Sequence, residues 1–590
     1  MAANTLPDPV DLSHHLSRST KAREASSIKQ FYKYFLIPGI GQLAGGLPNP
    51  NYFPYDTLEA KVALPNRWKP TPNRPVDPPS AELASTTLSD ALPSTRVVVP
   101  HFSGNSDPLH TIDLVTALQY GTAQGYPSLY YFIRQFTLEN LHPTIPYKGG
   151  AEIVLTCGST DGFSKTIQAL SNEWSEDWNP IDERPGLLVE EFCYMNAIQA
   201  ARPRGLGIVP VAIDDEGMLV SGKGGLEDVL ENWDFSKGRR PHLMYTVTIG
   251  QNPTSGTLSV QRRKEIYALC VKYDIIIIED DPYWYLQFPS ASSSAPAAPP
   301  AKSSGFEFLD SLIPSYLSID YQGRVVRLDT FSKTIAPGCR LGWITAQPAL
   351  IERLLRITET STQQPSGFVQ SMVAELIMGP QGHSDGGRGG AADGSGWKVD
   401  GWVRWLEGLR GNYERRMNAM CDVLASGKHL VKAGRRTSFN EVTSDDEWAV
   451  IEKAKIYDFV RPLGGMFVWV RFDFQTHPLH SRVPLPRLAR ALWVFWTAKP
   501  YLVLASPGTV FAPTEEIRER DAWQCFRLCF AACNENELED FSRRFADGAQ
   551  AFWRIKKKEK IDELLKDEEP PSDAAAEGMD AGLAILTGFC

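Results

Sequence analysis

No run of apolar residues in this chain approaches the roughly 20 needed to cross a bilayer; the longest, such as Ile275 to Ile278, are strand-sized. Positive charge is not in excess either. The 60 Lys and Arg are outnumbered by 70 Asp and Glu, for a net charge of −10, which removes the electrostatic basis for holding nucleic acid. Cysteine is sparse and odd in number, nine in 590 residues, without paired spacings. That excludes a disulfide framework and points to reduced thiols. Cys525, Cys529 and Cys533 fall four apart, but on or beside a strand this spacing makes no chelate. They read as soft core residues, and no metal is expected. The N-terminal segment carries Asp8 and Asp11 and lacks an apolar stretch, so neither a signal nor a transit peptide is expected. Cys590 is the last residue, not the fourth from the end, so it is no prenylation box. The expectation is a soluble, cytoplasmic protein with no nucleic-acid or membrane partner, and no internal repeat is visible.

What is present is enough apolar material for two cores: 43% of 590 residues are hydrophobic, and one core stops growing at roughly 250–300 residues. Strand-sized apolar runs at Glu152–Cys157, Leu187–Glu190, Leu243–Ile249, Tyr273–Glu279 and Val325–Leu328 alternate with helical patterns. One such helix carries Phe163, Ile167 and Leu170 on one face. Another is capped by Ser259 and carries Ile266, Leu269 and Cys270. This predicts an α/β domain with a largely parallel sheet. Leu406, Leu409, Tyr413, Met417, Met420 and Leu424 then repeat at helical spacing, predicting a long helix into a smaller domain that holds strands at Met466–Phe472 and Cys525–Ala531. The expected organisation is an N-terminal arm and part of the small domain in 1–100, with a loose Pro-rich stretch from Lys69 to Pro93. A large domain follows in 101–395, with loose insertions about 288–305 and 382–396, then the C-terminal small domain in 396–552 and a charged, flexible tail in 553–590.

Polar clusters close the predicted strands, where ligands bind in open α/β sheets. Gly158-Ser159-Thr160-Asp161-Gly162 opens a helix and has the makings of an anion site. A plain capped turn would look the same. Glu279-Asp280-Asp281-Pro282-Tyr283-Trp284 follows a β-branched strand. An acid there caps the next element or pairs with a buried cationic ring nitrogen, the partner that pyridoxal phosphate needs in order to serve as an electron sink. Asp329-Thr330-Phe331-Ser332-Lys333 sets one lysine among hydroxyls, seven residues before Arg340. A lysine that attacks a carbonyl needs such a partly desolvated place near positive charge. Gln251-Asn252-Pro253-Thr254 alone is a turn signal.

The order of these clusters resembles the fold-type I aminotransferases, specifically the fungal aromatic amino acid and kynurenine/aminoadipate aminotransferase branch. So do Lys21-Ala22-Arg23-Glu24-Ala25-Ser26-Ser27-Ile28-Lys29, Leu43-Ala44-Gly45-Gly46-Leu47-Pro48-Asn49-Pro50, Tyr52-Phe53-Pro54 and Leu118-Gln119-Tyr120-Gly121. The resemblance runs from about Ser13 to about Gln550. It implies a large domain with a mostly parallel seven-stranded sheet, a smaller α+β domain, and pyridoxal 5′-phosphate as cofactor. By resemblance Lys333 binds the cofactor and shuttles the substrate's Cα proton, and Asp280 faces the pyridine nitrogen. Tyr283 and Asn252 bond the ring's phenolic oxygen, and Tyr194 stacks on the ring. Ser159, Thr160, Thr330, Ser332 and Arg340 surround the phosphate, joined by Tyr120 of a second subunit in a homodimer with shared active sites. Arg527 clamps the substrate carboxylate, with Asn252 beside it. Gly46 lies where the substrate passes, and Arg23 sits at a mobile gating position. Thr160 and Thr330 depart from the usual Gln and Ser but keep a hydrogen-bonding group. The implied reaction is transamination of Phe, Tyr or Trp with 2-oxoglutarate. Kynurenine or 2-aminoadipate as substrate, and decarboxylase or lyase chemistry, are the alternatives.

Overall fold

The computed structural model describes residues 6–25, 34, 37–41, 43, 46–70, 94–105, 107–289, 302–379, 396–432 and 452–566. Ser26 to Lys29, Ala44 and Gly45 of the resembling N-terminal runs lie outside them. So do 71–93, 290–301 and 382–395 of the three loose stretches, and 567–590 of the tail.

Seven strands form one sheet, in the spatial order Glu152–Thr156, Gly342–Ala346, Val325–Thr330, Ile276–Asp280, Leu243–Thr246, Gly186–Glu190, Gly207–Val211. Gly342–Ala346 runs antiparallel to both its neighbours. The other adjacent pairs are parallel. Five of the strands are buried along their whole length, because helices cover both faces. This is why they read as mainly apolar runs and not as alternation, the buried charges of Val325–Thr330 being paired with one another and with Glu279. Leu187, Val189, Ile276 and Ile278 pack under the helix Ser159–Leu170 on one face. Leu188, Met244, Ile275 and Ile277 pack under Val260–Lys272 on the other. Truncating any of these aliphatics to Ala costs about 2–5 kcal/mol.

Ser259 caps its helix as expected, its side chain accepting from Arg262 N. Two strands are shifted. The first, expected to reach Ile249, ends at Thr246, because Thr248 N and Ile249 N donate to the Asp281 carboxylate (2.7 and 3.3 Å) instead of to a strand. The second begins at Ile276, since Tyr273 closes the preceding helix and Asp274 turns the chain with φ of +57°.

The long helix spans Lys398–Gly427. Its stripe bridges two cores, with Leu406 in the one beside the large sheet and Met417, Met420 and Leu424 in the other. That second core lies on a four-stranded antiparallel sheet ordered Tyr457–Phe459, Phe467–Phe472, Cys525–Cys529, Ser506–Pro507. The architecture is the expected α/β unit with a smaller α+β unit.

Two packing features stand out. The segment around Leu12 to Ser17 and the strands Thr57–Ala63 and Ser94–Pro100 pack on the cores beside the large sheet. Leu12 and Leu16 are buried in its core, Ser17 N donates to Ala169 O (2.8 Å), and the hairpin Thr57–Ala63/Ser94–Pro100 buries Val97 and Val99 beside Trp397 and Trp402. The start of the tail is likewise packed. Lys558–Leu564 is helical and Ile561 is fully buried in the small core, with Trp553 buried before it and Ile555, Leu564 and Leu565 packed against the same cluster. Among the described residues no helix is long and apolar enough to cross a membrane.

Candidate active site

Parallel strands bring their C-terminal ends to one edge of the sheet, and there the polar clusters converge. Lys333, Asp280, Tyr283, Ser159, Thr160, Tyr194, Asn252, Thr330, Ser332, Arg340 and Arg527 all line one cavity of about 270 Å³.

One end of the cavity is built for an anion. Gly158 precedes the helix Ser159–Leu170 with φ of +91°, which favours glycine, and a Cβ placed on it would stand 2.5 Å from Arg340 Nη2 and displace that guanidinium. Arg340 is itself left-handed, with φ of +43°, a strained state for a non-glycine residue. That backbone sends its guanidinium back across the turn to Ser332 Oγ (3.4 Å), Pro337 O (3.0 Å) and Cys157 O (3.2 Å). Thr330 Oγ1 accepts from Ser332 N (3.1 Å) and meets Ser332 Oγ at 2.9 Å. Ser159 Oγ is buried at the first helical position, near enough to Asp280 to lower the pKa of its carboxyl. A helix start, a guanidinium and these hydroxyls suit a phosphate.

The other end is built for a cation. Asp280 closes the strand Ile276–Asp280 and is 6% exposed. Its Oδ2 accepts from Tyr245 OH (2.8 Å), whereas Oδ1 is buried without a partner. Burial pushes the carboxyl up to about 6, against the lowering effect of the side-chain bonds from Tyr245 and Ser159. Glu279 and Asp281, its neighbours in sequence, do not line the cavity. They pair with the buried Arg327 at 3.2 and 3.3 Å, which also pairs with Asp329 at 3.0 Å. Of three consecutive acids, only Asp280 is left facing the cavity with an unsatisfied oxygen.

Arg527 stands on the small sheet opposite. Nη1 donates to Asn252 Oδ1 (2.7 Å), Nη2 reaches Ser506 Oγ (3.5 Å), and Nε is buried without a partner. The guanidinium lies over the rings of Phe467 (4.2 Å) and Phe511 (4.7 Å), and burial lowers its pKa. Among the described residues it pairs with no carboxylate, so a surface salt bridge does not explain it. Tyr283 is buried with its ring edge-on to Phe467 (5.8 Å, 88°), and burial raises its hydroxyl's pKa. Tyr194 OH accepts from Asn196 Nδ2 (2.7 Å).

Pyridoxal phosphate fits these residues. Its phosphate matches the Gly158–Arg340 cradle, its protonated ring nitrogen answers the unsatisfied buried oxygen of Asp280, and the half-buried Lys333 lies on the same cavity wall as both.

A family profile described as aminotransferase class I and II matches residues 109–395. An aromatic amino acid aminotransferase of Schizosaccharomyces pombe is 35% identical over 469 residues, covering 79% of this chain and 83% of that one. The chain belongs to the class I and II aminotransferases. An L-tyrosine:2-oxoglutarate aminotransferase of Serpula lacrymans is 32% identical over 472 residues, 79% of this chain and 76% of that one. The crystal structure of the aminotransferase Aro8 from Candida albicans superposes with a TM-score of 0.70 at 30% identity, covering 93% of this chain and all of that one. This aminotransferase is therefore a pyridoxal-phosphate enzyme of fold type I.

Three predicted site residues lie elsewhere in the aminotransferase protomer. Arg23 does not line the cavity: its guanidinium donates to Thr360 Oγ1 (2.6 Å) and its carbonyl accepts from Arg356 (2.5 Å). It docks the arm in this arrangement. Gly46 is exposed, and a Cβ there would meet nothing within 4 Å. Tyr120 is 66% exposed. Conversely, sequence reasoning missed Tyr245, Phe467, Phe511 and Ser506. Tyr245 reads as one more apolar strand residue. Only the pairing of Leu243–Thr246 with Ile276–Asp280 carries its hydroxyl to Asp280.

Proposed function

We propose that the enzyme moves the amino group of an aromatic L-amino acid to 2-oxoglutarate, releasing the aromatic 2-oxo acid and L-glutamate. The observation that carries this reading is the single cavity in which Lys333, the unsatisfied Asp280 and the carboxylate-free Arg527 face one another. The activities by which its relatives are known support it.

In this reading Ser159, Thr160, Thr330, Ser332 and Arg340 hold the cofactor phosphate, Asp280 keeps the ring nitrogen protonated, and Asn252 and Tyr283 bond the ring's phenolic oxygen. Tyr194 stacks on the ring. When bound, pyridoxal phosphate supplies an electron sink for the pair left at Cα. Arg527 fixes the substrate's α-carboxylate through a charge-assisted fork, aided by Asn252. This orients the Cα–H bond, and Lys333 Nζ takes that proton. The rings of Phe467 and Phe511 stack on Arg527 and restrict it to that pose.

The test is a half-reaction: L-tyrosine or L-phenylalanine alone, without 2-oxoglutarate. The expected product is one equivalent of the aromatic 2-oxo acid per site, with the amino group kept on the protein. An arylethylamine would make it a decarboxylase, and failure with every aromatic amino acid would sink the substrate assignment. Arg527→Lys keeps the charge and loses the planar fork. It should cost about 1.5–3 kcal/mol, seen as a roughly 10- to 100-fold fall in kcat/KM for the amino acid. An unchanged kcat/KM would remove Arg527 from the clamp.

The assembly belonging to this reading is a homodimer in which the exposed Tyr120 completes the partner's phosphate site. Sedimentation should give a dimer, and Tyr120→Phe should retain pyridoxal phosphate less well on dialysis. A fully active monomer rules the shared site out.

A further inference from the structure

Beyond the groups that hold cofactor and carboxylate, the cavity wall is mainly apolar, with Phe163, Val247, Met466 and Phe467 in it. A second carboxamide besides Asn252 stands among them, Asn196. It is the second residue of the short helix Met195–Ala201, whose N-cap is Tyr194. Its Nδ2 reaches back and donates to the Tyr194 hydroxyl at 2.7 Å.

We propose that Asn196 is a positioning residue for the substrate's α-carboxylate. By donating to the Tyr194 oxygen it turns that hydroxyl's proton towards Arg527, so that Tyr194 is a hydrogen-bond donor to the carboxylate as well as the ring that stacks on the cofactor. The inference rests on the proposed seating of the carboxylate at Arg527.

The first support is the direction of the bond. An amide Nδ2 has only protons to give, so the Tyr194 oxygen accepts here, and the hydroxyl's own proton points away from Asn196. The second is place. Tyr194 stands close enough to Arg527 and Tyr283 to bear on the ionisation of both, which sets it on the clamp's side of the cavity.

The third is the frame that Tyr194 shares with the clamp. Gln251 Nε2 donates to Phe192 O (2.7 Å) and Cys193 N donates to Phe511 O (3.0 Å), so the chain entering Tyr194 is held from two sides. Both holders also touch the clamp. The Phe511 ring lies under the Arg527 guanidinium (4.7 Å), and Asn252, next to Gln251 in sequence, accepts from Arg527 Nη1 (2.7 Å). With the main chain fixed in this way, the bond from Asn196 pins the far end of the side chain.

A carboxylate has about four lone-pair sites, of which a guanidinium fork fills two. A third donor therefore has an acceptor to meet. A hydrogen bond that water can replace contributes roughly 3- to 10-fold. Because a carboxylate keeps its charge through the reaction, the gain is uniform binding, and its loss raises KM more than it lowers kcat.

The experiment is a double-mutant cycle of Asn196→Ala and Tyr194→Phe in the holoenzyme. The probes are 3-phenylpropanoate and glutarate, which carry a carboxylate and no reacting amino or oxo group. Their affinities are read from the visible absorbance of the bound cofactor, with KM and kcat for L-phenylalanine measured alongside. Each single variant should weaken both probes about 3- to 10-fold, KM rising in step in Asn196→Ala, and the double variant should be no worse than Tyr194→Phe. Losses that multiply in the double variant would mean that Asn196 does not act through the hydroxyl. Probe affinities unchanged in Tyr194→Phe, which keeps the ring and so the fold, overturn the proposal even where Asn196→Ala misfolds. Since the probes do not turn over, an enzyme that binds them but transaminates no aromatic amino acid sinks the proposed reaction and not this role.

Discussion

Lys333→Ala should lower turnover by roughly 10³- to 10⁴-fold while leaving the fold and thermal unfolding near those of the parent. The side chain is half-buried at the end of a short helical turn, Phe331–Lys333, and the aliphatic core beneath does not depend on it. The local backbone is pinned independently: Phe331 is buried against Trp343 and Trp402, and Thr334 O accepts from Trp405 Nε1 (2.8 Å). The loss is therefore chemical. Among the described residues Lys333 is the one lysine on the cavity wall, and removing the positioned group that takes the Cα proton forfeits about 10²- to 10⁴-fold, with its role as nucleophile toward the cofactor lost in addition. The measurement is steady-state transamination with tyrosine and 2-oxoglutarate, paired with borohydride reduction and mass analysis, which should fix the cofactor on Lys333 in the parent and on no residue in the variant. Turnover within 10-fold of the parent would show that another group moves the proton.

Asp280→Asn should act in opposite directions on activity and on apoenzyme stability. An amide is neutral and cannot hold a proton on the ring nitrogen. Breaking a buried ion pair costs about 3–5 kcal/mol, so kcat/KM should fall by roughly 10²- to 10³-fold with a normal circular dichroism spectrum. In the apoenzyme the same carboxylate is a liability. Its pKa is raised to about 6 from the 3.8 of a free side chain, so between these values the folded state binds more protons than the unfolded state. Stability contributed by Asp280 is thus greatest at low pH and lost as pH rises through 4 to 6. The deficit above pH 6 is on the order of 2–3 kcal/mol. Urea unfolding of the two apoenzymes should find Asp280→Asn more stable at pH 7.5, with the advantage shrinking towards pH 4. An apo variant less stable than the parent at pH 7.5 would mean that Asp280 is held by partners and not poised for a cation. Adding pyridoxal phosphate should reverse the order, because only the parent gains a buried ion pair.

The elements that bury most and the residues whose chemistry is unusual were legible in the sequence alone. Ile276 to Asp280 and Val325 to Thr330 form fully buried strands, and buried strands announce themselves as mainly apolar, β-branched runs. Ser259 announces a helix start because its hydroxyl serves a free backbone N–H. Lys333, Asn252, Arg340 and Arg527 stood out by residue type and by their place at the ends of predicted strands, and the structure sets all of them around one cavity. Local reasoning failed wherever the partner was remote in sequence. The Asp281 carboxylate, more than 30 residues away, ends the strand at Thr246. Thr360 holds Arg23 away from the cavity. Ile561, with Ile555, Leu564 and Leu565 beside it, docks a tail whose composition is otherwise that of a solvated segment. Only tertiary structure decided which of Glu279, Asp280 and Asp281 serves the site. Period-two geometry sends neighbours to opposite sides, and Arg327 neutralises two of the three, leaving one oxygen of Asp280 unsatisfied. Residue type and spacing reveal which groups are able to do chemistry; which of them remain unpaired is settled by contacts across the fold.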